Sequence, residues 1–87
     1  MKLPMCKSAG EYASALEALW AAADLAGKPN RCAYFMGAWM TVLDHMDEKS
    51  NSPIFRMERA VAYEDGVGDA FDRGHASMWR MIGDLHA

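Results

Sequence analysis

The chain has 87 residues, 52% of them hydrophobic, and a formal net charge of -3. That length holds one domain, which buries only about 60% of its unfolded surface and gains from a partner, while the apolar content is too high for disorder. The nine Lys and Arg are spread along the chain, so no basic patch is available to hold nucleic acid phosphates.

Ala, Leu, Met and Glu outweigh Val, Ile and Thr, which favours an all-α fold. Two cysteines, Cys6 and Cys32, lack CxxC spacing and fit a reducing cytoplasm better than a bridged secreted domain. The stretch Met1–Cys6 carries one Lys with no apolar segment behind it, so we expect no signal peptide. The longest nearly apolar run, Cys32 to Leu43, is about 12 residues, well short of a membrane span. The expectation is a soluble cytoplasmic protein with a flexible N-terminal arm, 1–7, and a single α-helical domain, 8–87.

Ser8-Ala9-Gly10-Glu11 reads as a capping box that opens a first helix over 9–26. Its stripe is Tyr12, Leu16, Leu19, Trp20 and Ala23, and Gly27-Lys28-Pro29 ends it with a left-handed cap and a residue that cannot continue a helix. A second helix follows over 31–49 with Asn30 as its cap. Cys32, Phe35, Trp39, Val42 and Met46 form one stripe of it, and Ala33, Met36, Met40 and Leu43 a second beside the first. Apolar side chains thus cover most of its circumference, which places it at the centre of the fold or in an oligomer interface.

Ser50-Asn51-Ser52-Pro53 is a turn that ends in an N-cap serine with proline at the first helical position. From there Met57, Val61, Gly68, Phe71, His75, Met78, Ile82 and Leu85 recur at helical spacing, so the pattern predicts one long third helix over 53–85, with a kink or a split near Gly66–Gly68 as the alternative. Glycines inside a helix cost about 1 kcal/mol each, and a close helix neighbour or a break at Asp65-Gly66 would account for them. A continuous helix would run about 50 Å, too long for its neighbours to cover. The predicted architecture is a small bundle of three helices, a homodimer through the second and third, with Trp39, Met40, Phe71, His75 and Leu85 in the interface.

Asp44-x-x-Asp47 and Asp69-x-x-Asp72 are two acid pairs on neighbouring helices, and carboxylates at i, i+3 point the same way and can share Mg²⁺. This spacing is similar to that of the all-α nucleotide pyrophosphohydrolases, whose motif pairs two glutamates on one helix with a glutamate and an aspartate on the next. The resemblance covers these four residues and implies a Mg²⁺-dependent hydrolase, with aspartate at three positions where the family has glutamate. The plainer reading is a solvated acidic face. His75 lies on the apolar stripe, three residues after Asp72, and no other His, Cys or Glu is spaced to complete a metal site, so it reads as a core or interface histidine with a polar partner; buried in an interface, it would make association pH-sensitive. His45 and His86 have no comparable setting. Gly66-Val67-Gly68 has no preceding strand and no following GK[ST], which excludes a phosphate loop.

No cofactor is implied. Glu64, Asp65, Asp69 and Asp72 make an acidic patch suited to a basic partner, or else a solvent face in which Asp69 and Arg73 pair. Met36, Met40, Met78, Trp79 and Met81 suit an adaptable protein contact. The partner-binding set is therefore Glu64, Asp65, Asp69, Asp72, Met78, Trp79 and Ile82. The function read from these residues is a non-enzymatic helical module that masks or bridges another protein, in the manner of phage or mobile-element inhibitors of host machinery. The hydrolase and a structural subunit of a larger assembly are its rivals.

Overall fold

The computed structural model describes residues 2–86. Among them are four helices and no strand: α1 (Ala9–Leu25), α2 (Pro29–Met46), α3 (Pro53–Glu64) and α4 (Gly68–Leu85). The all-α class holds, with one helix more than the sequence pattern suggested.

The ends of α1 follow local chemistry. Ser8 Oγ accepts a hydrogen bond from the Glu11 amide, while the Glu11 carboxylate takes the amide of Lys7, one residue earlier than a capping box requires. At the far end the Gly27 and Lys28 amides donate back to the Asp24 and Ala23 carbonyls, with Gly27 at φ +66. This Schellman closure satisfies the last carbonyls and needs a residue at ease with positive φ. Pro29 then starts α2 directly, with Lys28 rather than Asn30 at its N-cap, because the fixed φ of proline suits the first helical position. Residues 2–7 have no regular structure, yet Leu3 is buried in the core.

The third predicted helix is two helices. Asp65 caps α3, Gly66 adopts φ +79, and the Gly66 and Val67 amides donate to the Tyr63 and Ala62 carbonyls. The chain then turns back, and the molecule measures 35 Å along its longest axis. The stripe keeps its phase across this break by coincidence of spacing. Its upstream members face outward, Met57 at 57% exposure and Val61 at 45%, whereas downstream Phe71 and Met78 are at 0% and Ile82 at 4%. On α3 it is Phe55 and Ala62 that turn inward.

Helix α2 packs against each of the other three, so its nearly continuous apolar surface is that of a central helix. Its crossing with α4 is made by glycines. A Cβ on Gly74 would collide with the Tyr34 carbonyl, and one on Gly37 with the Phe71 carbonyl. The two backbones therefore meet at the crossing, and the cost of Gly74 inside a helix is offset by the close neighbour. Both expected causes of the glycines operate, a break at Gly66 and a close approach at Gly74.

Candidate functional site

Residues expected on a partner-facing or dimer-facing band are largely core. Met78, Ile82, Phe71 and Met40 are buried by the chain's own helices, and Leu85 is half-buried against them. Trp39 is half-buried, its ring 5.7 Å from that of Trp20. The band that called for a second subunit is thus covered once α4 folds back on α2, and the premise of the homodimer goes with it. Trp79 remains exposed.

Two of the four aspartates serve local ends. The Ser52 amide donates to Asp44 at 3.0 Å, which fixes the turn before α3. Asp72 takes a two-pronged bond from Arg59, whose Nε and Nη2 lie 2.8 and 3.0 Å from its oxygens, and a further one from the Tyr63 hydroxyl. These bonds, the one from Arg59 foremost, hold the Asp72 carboxyl below the usual carboxylate range. Asp47 and Asp69 are exposed. Among the described residues no three His, Cys, Asp or Glu side chains are grouped so as to hold a metal ion. Asp44 thus serves as a turn clasp and Asp72 as an α3–α4 clasp.

His75 has the polar partner expected of it, and sequence reading missed which. Thr41 Oγ1 lies 2.7 Å from the Gly37 carbonyl and 2.6 Å from His75 Nδ1. A hydroxyl has one proton, so it satisfies both contacts by donating to the carbonyl and accepting from Nδ1–H, which leaves the lone pair on Nε2. Phe55 stands edge-on to the imidazole at 5.0 Å. Burial holds this imidazole below the ordinary histidine value, with Asp72 acting the other way. The histidines without a predicted setting also meet: His45 and His86 bring their Nε2 atoms to 3.2 Å, joining the end of α4 to the end of α2. Two ligands are fewer than a metal site needs.

What the fold leaves open lies elsewhere. Between α1 and α3, over the first half of α2, runs a groove of about 500 Å³. Its lining includes Cys32, Ala33 and Met36 from α2, Trp20 and Ala23 from α1, and Val61 and Ala62 from α3, with Phe71 reaching it from α4. Burial, and then the nearby Asp24, push the Cys32 thiol up, with Trp20 acting the other way. Asp24 stands on the α1 wall, Glu58 and Asp65 on the α3 wall, and Lys28 at the α1–α2 turn. Beyond Val61 the apolar surface continues along α3 to the exposed Met57 and Ile54, at i-4 and i-7.

No protein family, curated protein or solved structure matches this chain.

Of the acidic residues expected to meet a partner, the geometry sorts one pair from the other. Asp65 lines the groove and Glu64 is exposed beside it, whereas Asp72 is tied to Arg59 on the opposite flank of α3. Asp69 is exposed in the first turn of α4.

Proposed function

We propose that this protein is a non-enzymatic protein-binding module that takes a segment of another protein into the groove between α1 and α3. The observation that carries the reading is the groove's continuity with an exposed apolar stripe. Ile54, Met57 and Val61 repeat at helical spacing on α3 and are 60%, 57% and 45% exposed, and a monomer does not commonly leave such a contiguous apolar face to water without a use for it. A small molecule in the groove would leave Ile54 and Met57 wet; a polypeptide covers groove and stripe together. The Met and Trp content of the lining adds side chains that adapt to a partner at low cost.

No helix among the described residues is long and apolar enough to cross a membrane, and Cys6 and Cys32 are free thiols. The free thiols support a protein that works in a reducing compartment, and we place it in the cytoplasm.

Affinity purification from the source cell tests the reading, with wild-type protein and Val61→Asp as parallel baits after both are shown folded by circular dichroism. Position 61 is exposed, so the variant keeps the core. Proteins recovered with the wild type and lost with Val61→Asp are the expected result. Identical recovery by the two baits would contradict the groove as the binding surface.

A further inference from the structure

The signs of the charges around the groove restrict what can enter it. Helix α1 contains no Lys or Arg at all, and its charged residues are Glu11, Glu17 and Asp24. Glu17 and Asp24 lie one turn to either side of Trp20, and Asp24 lines the groove with it. Glu58 and Asp65 face the groove, while Arg59 is drawn to the far flank by its bond to Asp72. Lys28 at the α1–α2 turn is the one cation in the lining. The α2 floor from Pro29 to Met36 is about 10 Å long at 1.5 Å per residue, two helical turns.

Resting on the reading of the groove as a protein-binding site, we propose that its occupant is a basic amphipathic α-helix. Apolar side chains on successive turns of the occupant enter between Trp20 and Val61, and Lys or Arg on its two flanks face Asp24 on one wall and Glu58 and Asp65 on the other. Helix-in-groove recognition reads such i, i+3, i+4, i+7 anchors, and flanking charges set which helices are accepted and how fast they arrive. A second copy of this groove face is a poor occupant, because it would set acidic rim against acidic rim.

Two capped 18-residue helical peptides supply the test, identical in their Leu stripe, one with Lys and the other with Glu at the flanking positions. A scrambled Lys peptide without the stripe is the control. Binding is followed by titration calorimetry and located by amide chemical-shift changes on the intact protein. The Lys peptide is expected to bind at least tenfold more tightly than both others, to shift Trp20, Met36 and Val61, and to weaken as salt is raised. In the triple variant Asp24→Lys, Glu58→Lys, Asp65→Lys the order of the Lys and Glu peptides is expected to reverse. Should that variant not fold, Asp65→Lys alone is expected to lower the preference severalfold.

Equal binding of the Lys and Glu peptides would overturn the charge assignment and leave the groove standing. Binding of neither would overturn both. A Lys peptide that binds the scrambled control's equal, or that shifts residues outside the groove, refutes the helix-in-groove geometry. An occupant that proves to be a second copy, seen as a concentration-dependent dimer that shifts the same residues, refutes the basic partner.

Discussion

Gly74→Ala asks whether α2 and α4 really cross at backbone contact. Inside a helix the change by itself gains about 1 kcal/mol, because alanine loses less backbone freedom than glycine. At Gly74, however, the new methyl is directed at the Tyr34 carbonyl with the Ala38 amide close by. These are backbone atoms of a helix and cannot swing aside, so α2 and α4 must part. The core between them includes Phe71, Met78 and Ala38, and even a gap of about 0.5–1 Å forfeits a quarter to a half of each van der Waals contact. Overpacking of this kind costs about 3 kcal/mol, for a net loss of about 2 kcal/mol. Gly83, also within α4, has open space where its Cβ would stand, and Gly83→Ala should gain close to the full 1 kcal/mol or so of helix propensity. The two variants should therefore differ by about 3 kcal/mol, a large part of the roughly 4–13 kcal/mol expected for a domain of this size. Urea unfolding followed by far-UV circular dichroism measures both, as midpoint shifts at unchanged slope. A Gly74→Ala protein as stable as Gly83→Ala would refute the close crossing.

Three further outcomes follow from named contacts. His75 is held below its ordinary value in the folded chain, so the unfolded chain binds more protons there and stability should fall as pH is lowered through about 6.5, levelling once the folded-state value is passed; urea midpoints at about pH 7.5 and 5.5 should show a smaller drop for His75→Gln than for wild type. Glu48 closes α2 at φ 56, where a Cβ is strained, and Glu48→Gly should gain about 0.5–1 kcal/mol in a thermal melt. Joint replacement of Asp69 and Asp72 by Asn removes a clasp whose partners are 48% and 35% exposed, so it should cost no more than about 1 kcal/mol and remove no nucleotide hydrolysis; wild-type turnover of a nucleotide that the double variant loses would restore the hydrolase reading.

Features fixed by neighbours in the chain were legible, and features fixed across the fold were not. Ser52-Pro53 and Gly27-Lys28-Pro29 marked their boundaries because cap and turn chemistry is local. The break at Gly66 was visible only as an alternative, since the apolar spacing of α3 happens to continue into α4 while the two helices turn different sides to the core. Thr41 gave no signal as the partner of His75, because the residues are 34 apart in sequence, and the Arg59–Asp72 clasp joins residues 13 apart. The acidic patch was half legible: Glu64 and Asp65 do lie at the open surface, but nothing in the spacing could show that Asp24, from another helix, faces Asp65 across a groove.

Site-specific photo-crosslinking in the source cell tests the placement of the partner surface most directly. A photoreactive phenylalanine analogue replaces Val61 in one strain and Trp79 in another, both residues being exposed and only Val61 lining the groove. Illumination is predicted to yield an adduct with another protein from position 61 and none from position 79. An adduct from position 79 with none from position 61 would contradict the account and return the partner to the outer face of α4.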